Sequence, residues 1–101
     1  MLLTGRGGTL ACTRLRVLKL QKMGLTGAIP AALGRLASLR VLDLSKNWLR
    51  GRVPPELGGL TNLERLALAA NAALHGALPA ELGDCARLER LDVSRCARLC
   101  E

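Results

Sequence analysis

Leu39-Arg40-Val41-Leu42-Asp43-Leu44, then Leu49-Arg50-Gly51-Arg52-Val53-Pro54, then Leu57-Gly58-Gly59-Leu60: this succession recurs along the chain. Leu15, Leu39 and Leu63 are 24 residues apart, and Leu88 follows 25 later. Leu18, Leu42, Leu66 and Leu91 keep the same steps, as do Leu20, Leu44, Leu68 and Val93. Leu25-Thr26-Gly27-Ala28-Ile29-Pro30 and Leu74-His75-Gly76-Ala77-Leu78-Pro79 repeat the middle piece. Leu33-Gly34-Arg35-Leu36 and Leu82-Gly83-Asp84-Cys85 repeat the last. A fixed period of this size means stacked units, each unable to bury its apolar face alone.

The unit can be read piece by piece. Leu-x-Leu alternation makes a short strand with one buried face, which stacks on its neighbours about 4.8 Å away. Gly27, Gly51 and Gly76 are placed for tight bends. Pro30, Pro54 and Pro79 lack an amide hydrogen, so they sit where no ladder bond is needed. The pairs Leu33/Leu36, Leu57/Leu60 and Leu82/Cys85 are i, i+3, which suits a short 3₁₀ turn pressing two side chains inward. The prediction is an α/β solenoid: an open coil with parallel strands on its concave side and 3₁₀ or helical turns on its convex side.

Composition agrees with a repeated lattice. The 101 residues include 24 Leu and 14 Ala but one Trp and no Tyr or Phe. That much Leu excludes disorder. No run approaches the length of a membrane span without a charge. Met1-Leu2-Leu3 is too short for the apolar stretch of a secretory signal, and Arg6 interrupts it.

These motifs resemble the leucine-rich repeat family, and more narrowly its plant-specific class, in which Asn-x-Leu-x-Gly-x-Ile-Pro-x-x-Leu-Gly-x-Leu follows the strand. The resemblance covers about Leu15 to Leu99. It implies a right-handed coil with repeats at 15–38, 39–62 and 63–87, a partial repeat at 88–101, and the degenerate end of an earlier unit at 1–14. It also implies a non-catalytic protein- or peptide-recognition module of a receptor-like protein or receptor-like kinase ectodomain. Repeats of that family bind peptide, steroid or co-receptor partners, while a separate kinase domain signals. The alternatives are a structural segment without its own ligand and a basic intracellular adaptor. The repeat class points to the outer side of the plasma membrane. The lack of a signal, of capping cysteines and of Asn-x-Ser/Thr sites points to a reducing interior if the chain is complete.

Several positions depart from the pattern. Asn47 and Asn71 follow the strand, where a side-chain amide can bond backbone groups left unpaired inside the coil. Met23 and Cys96 hold that place in the first and last units, and the family tolerates Cys there. The expectation is therefore a ladder of two rungs, with unsatisfied backbone groups or trapped water near Met23. Asn71-Ala72-Ala73-Leu74 carries one extra residue, and Cys96-Ala97-Arg98-Leu99 copies it. Neither end offers the polar cap a solenoid needs, so the chain reads as a piece of a longer array, or else as a small module whose ends self-associate or bind a partner.

No catalytic constellation emerges. Cys12 and Cys85 share one repeat position three units apart, roughly 14 Å, too far for a disulfide. Both read as small buried apolar residues. Cys96 and Cys100 reach one another only if the terminus curls. A zinc site is disfavoured because Cys-x-x-Cys pairs are absent. His75 falls on an outward position. Glu56 and Glu81 follow the prolines and read as helix-start acids without an enclosing pocket. No Ser or Cys has a placed His/Asp partner, so the chain is expected to be no enzyme and to need no cofactor. The net charge of +7 admits nucleic acid, but stacking aromatics are missing and the arginines fall on several faces.

Binding is expected on the outward positions of the strands. These form columns across the units: Val17, Val41, Arg65, Arg90; then Lys19, Asp43, Ala67, Asp92; then Gln21, Ser45, Ala69, Ser94; then Lys22, Lys46, Ala70, Arg95. Arg65 is placed to pair with Asp43 or Asp92 across strands. Trp48 stands where other units have Gly24, Ala72 and Ala97, and is either a binding anchor or a lid over the neighbouring unit. The candidate contact residues are thus Val17, Lys19, Lys22, Val41, Asp43, Lys46, Trp48, Arg65, Arg90, Asp92 and Arg95.

Overall fold

The computed structural model describes residues 14–100. Strands β1 (Val17–Lys19), β3 (Val41–Asp43), β5 (Arg65–Ala67) and β7 (Arg90–Asp92) form one parallel sheet in the order β1-β3-β5-β7. Its register follows the repeat: Leu18 pairs with Leu42, Leu42 with Leu66 and Leu66 with Leu91. Backbone bonds carry the ladder past the strands, with Leu20, Leu44 and Leu68 donating to Asp43, Ala67 and Asp92 at 2.8 Å each.

A second parallel sheet, not anticipated from the pattern, contains β2 (Thr26–Ala28), β4 (Trp48–Gly51), β6 (Ala73–Ala77) and β8 (Arg98–Cys100). It runs through the segments expected to be bends. Gly27, Gly51 and Gly76 do take left-handed values (φ +81, +83 and +82), yet each belongs to a strand, Gly51 as the last residue of β4. The pairing is staggered, with Thr26 opposite Trp48 and Gly27 opposite Leu49, two residues short of the 24-residue repeat.

Three 3₁₀ turns complete the coils: Ala31–Arg35, Pro55–Gly59 and Ala80–Asp84. Each starts after a proline in the extended region, and Leu33, Leu57 and Leu82 donate to the carbonyls of Pro30, Pro54 and Pro79. The i, i+3 pairs point inward as their spacing predicts. Leu39, Leu42, Leu44, Leu49, Leu57, Leu60, Leu63, Leu66, Leu68 and Leu74 are wholly buried, and burying one leucine is worth about 2 kcal/mol. In the second unit every repeat leucine is wholly buried, while in the third Leu78 is half-buried. Leu18 is half-buried in the first, and Leu91 is exposed in the fourth.

The polar interior differs from expectation in two ways. The loop at Met23 is bonded, because Asn47 reaches back into the preceding unit. Its Oδ1 accepts the Met23 and Leu25 amides at 3.0 Å each, and its Nδ2 donates to the Leu20 carbonyl at 2.9 Å. A rung thus serves the coil before its own, and a unit needs no Asn of its own. The ladder also has a third rung. Asn71 Nδ2 donates to Leu44, and Cys96 Sγ donates to Leu68 at 3.1 Å, the same backbone position one unit on. Cys96 is buried and its thiol is free, so the curled-terminus disulfide does not form.

The extra residue explains why a thiol suffices. In the second unit the Leu49 amide donates to the Asn71 Oδ1 at 3.1 Å. In the third, the longer loop lets the Leu74 amide donate to the carbonyl of Asn71 itself, at 3.1 Å. No side-chain acceptor from the following unit is then needed. The fourth unit does the same, with Leu99 donating to Cys96.

Lys22, Lys46, Ala70 and Arg95 end the first-sheet segments in the left-handed region (φ 56–59), a conformation that costs a residue with a side chain about 1 kcal/mol. Ala70→Gly is therefore expected to raise stability by about 0.5 kcal/mol, after the entropy of glycine is subtracted. Calorimetry should show a Tm a few degrees higher.

Candidate partner-binding surface

The first sheet presents its alternate side chains outward because its leucines face the core. A depression of about 380 Å³ on this face gathers Gln21, Lys22, Asp43, Ser45, Lys46, Arg65, Ala67, Ala69 and Asp92. Five of the predicted contact residues meet here: Lys22, Asp43, Lys46, Arg65 and Asp92. Ala67 forms the buried floor at 3% exposure, since Asp43 and Asp92 stand on either side of it in the neighbouring strands. Val17, Lys19, Arg90 and Arg95 are exposed around this region without lining it, and Val41 is half-buried.

The two acids are held by the backbone. Asp43 Oδ1 accepts the Ser45 amide and Asp92 Oδ1 the Ser94 amide, both at 3.0 Å. The Ser94 backbone bond, then its hydroxyl, and finally the nearby Arg65 charge hold the Asp92 carboxyl below its ordinary value. The pair expected between Arg65 and either acid does not close to contact. An ion pair does form between Arg40 and Glu64, at 4.0 Å between exposed side chains. Arg65 is exposed and acts on Asp92 through its charge without a contact bond.

Trp48 is not on this face. It opens β4 in the second sheet and is 75% exposed, so it does not lie as a lid over its neighbour. A groove of about 690 Å³ runs beside it, bordered by Lys46, Asn47, Ala70, Ala72, Ala73, Ala97 and Arg98. Sequence reasoning missed this groove because Ala70, Ala72 and Ala97 lie in turns and Ala73 opens a strand of the unanticipated second sheet.

The remaining polar candidates have structural surroundings. Cys85 is buried, and burial, followed by the adjacent Asp84 charge, pushes its thiol upward. It takes the place of Leu36 and Leu60, as expected of a small apolar residue; Cys12 lies outside the described residues. His75 is exposed on β6, and Glu56 and Glu81 stand in the first turns of their 3₁₀ segments. Among the described residues no three ligand-type side chains converge on a metal position, and no helix is long and apolar enough to cross a membrane.

Comparison with known proteins agrees with this geometry. The leucine rich repeat family matches residues 13–72, more than half of the chain. The chain is similar to the ectodomain of the plant membrane receptor kinase GASSHO1/SCHENGEN3 from Arabidopsis thaliana, solved with CASPARIAN STRIP INTEGRITY FACTOR 2. Identity is 40% and the TM-score 0.76 over 80% of this chain and 10% of that one. It is similar to the plant peptide hormone receptor RGFR1, solved with RGF2, at 39% identity and a TM-score of 0.76, over 79% of this chain and 13% of that one. It is also similar to the ectodomain of the receptor kinase SOBIR1 from Arabidopsis thaliana, at 38% identity and a TM-score of 0.76, over 87% of this chain and 48% of that one. The chain thus spans from about a tenth to about half of these relatives. No curated protein sequence matches it. In-register leucines, the Asn rungs and these likenesses together show that the chain belongs to the leucine-rich repeat family, in its plant receptor-type class.

Proposed function

We propose that the chain is a non-catalytic protein- or peptide-recognition segment of a plant receptor-like ectodomain, on the extracellular side of the plasma membrane. The observation that carries this reading is the first-sheet depression. There Lys22, Lys46 and Arg65 alternate with Asp43 and Asp92 on a rigid sheet, over an alanine floor. The two carboxylates, already held by backbone bonds, meet a polar peptide without first being ordered, and the cations beside them give the surface charges of both signs. The GASSHO1/SCHENGEN3 and RGFR1 structures are complexes with CASPARIAN STRIP INTEGRITY FACTOR 2 and RGF2, and the receptor kinase HAESA was solved with the peptide hormone IDA and the co-receptor SERK1. Those partners support a peptide ligand here, with a co-receptor as second partner.

Peptides selected from a random phage-displayed library against the immobilised chain test the reading. Selected peptides should bind Arg65→Glu at least about tenfold more weakly, with little change in Tm, because Arg65 is exposed. Failure to enrich any peptide, or equal binding to Arg65→Glu, would refute this role and leave a structural repeat.

A further inference from the structure

We infer that the first-sheet depression takes an extended peptide segment in which one acidic and one basic side chain stand two residues apart. This rests on the recognition role proposed above and names the chemistry of its ligand. The charges of the face lie in rows that run across the strands. Val41, Arg65 and Arg90 are in register in one row, and Asp43, Ala67 and Asp92 in the row two residues further on. Arg65 and Ala67 flank the core residue Leu66 on β5, so both belong to the outward face, about 6.6 Å apart along the strand.

Ala67 makes a gap in the acidic row. Asp43 and Asp92 stand one strand spacing to either side of it, about 10 Å from each other, and each is fixed by the amide two residues on. A guanidinium over the Ala67 methyl lies between two carboxylates and can donate to both sides at once. The charges that oppose it are Arg65, two residues back on β5, and Lys19, on the far side of Asp43. An acid on the ligand answers Arg65 only when it is two positions from the base. Alternate side chains of an extended chain share a face at the same step of about 6.6 Å, whereas adjacent ones point to opposite faces. Two acids at that spacing would set a carboxylate between Asp43 and Asp92, and two bases would set a cation over Arg65; each arrangement repels.

The probes are the blocked peptides Gly-Glu-Ala-Arg-Gly and Gly-Arg-Ala-Glu-Gly, which present the pair in the two chain directions. The control is Gly-Ala-Glu-Arg-Gly, with the same composition and adjacent charges. Amide NMR shifts of Ser45 and Ser94, which bond the two carboxylates, follow the titration. One of the two probes should bind with Kd near about 1 mM, weakening as salt rises. The control should bind about tenfold more weakly. So should the probe on the Asp43→Asn/Asp92→Asn protein, which keeps the oxygens that accept the serine amides and loses both charges. Arg65→Glu should reverse the preference, binding Gly-Arg-Ala-Arg-Gly about tenfold better than the probe, a reversal that general loosening of the sheet cannot produce. Equal binding of the control, full binding by the double Asn variant, or no reversal in Arg65→Glu overturns the assignment. Library peptides that depend on Arg65 but lack the spaced acid and base would also overturn it while leaving the recognition role standing; no enrichment at all would overturn both.

Discussion

Gly34→Ala and Gly58→Ala are each expected to cost about 3 kcal/mol, while Gly83→Ala, at the same place in the next unit, costs almost nothing. The three residues hold equivalent positions in successive 3₁₀ turns. A Cβ on Gly34 would collide with the Glu56 carbonyl oxygen and lie 2.8 Å from the carbon that bears it. On Gly58 it would lie 2.5 Å from the Glu81 carbonyl oxygen and 2.8 Å from the Glu81 Cβ. Backbone atoms cannot rotate away, so the turns must separate, pulling Leu33, Leu57 and Leu82 out of contact. A Cβ on Gly83 meets nothing within 4 Å. Urea unfolding of the three variants checks this, and a loss of 3 kcal/mol corresponds to a Tm lower by roughly 15 °C in a domain of this size. Equal losses in all three would mean that the glycines serve local conformation and not the approach of one turn to the next.

Asn71→Ala is expected to cost about 4 kcal/mol and Cys96→Ala about 1. Asn71 is fully buried. Its Nδ2 donates to the Leu44 and Leu68 carbonyls, and its Oδ1 accepts the Leu49 amide. Alanine leaves the Leu49 amide unpaired in a dry interior, at about 1–3 kcal/mol, and takes one of two bonds from each of the Leu44 and Leu68 carbonyls, which keep Asn47 Nδ2 and Cys96 Sγ, at about 1 kcal/mol each. Cys96 adds a second bond to a single carbonyl, that of Leu68, which Asn71 Nδ2 already serves, and does so through a weaker thiol donor. The Leu74 amide is already bonded to Asn71, and the Leu68 carbonyl keeps Asn71 Nδ2, so loss of the thiol orphans no group. Cys96→Asn gains little for the same reason, because its buried Oδ1 finds no amide waiting. Denaturant unfolding of Asn71→Ala, Cys96→Ala and Cys96→Asn separates these cases. A loss in Cys96→Ala as large as that in Asn71→Ala would show that the longer loop does not close on itself.

Most of the fold was legible because burial repeats with the period of the unit. Leu18, Leu42, Leu66 and Leu91 announce the first sheet by alternation, and Pro54 with Leu57 and Leu60 announces a 3₁₀ turn by spacing. The second sheet was not legible. Its strands show no Leu-x-Leu alternation, as in Thr26-Gly27-Ala28, and form because neighbouring coils bring backbone groups into reach. The candidate site divides in the same way. Asp43, Arg65 and Asp92 could be placed in columns by counting residues, and they meet in one depression. Trp48 could not be placed, because the stagger of the second sheet moves it off the face that counting assigns it.

Composition and period, which are properties of one unit repeated, sufficed to establish a leucine-lined solenoid with an outward polar face. Which groups satisfy one another depends on how successive units meet. Asn47 serves the Met23 loop from the following coil, Cys96 replaces an Asn only where the preceding loop is one residue longer, and Gly34 is required by the carbonyl of Glu56. These partners lie between 22 and 28 residues apart in the chain. No local propensity records such a separation, and only the stacking of one coil on the next brings the groups into contact.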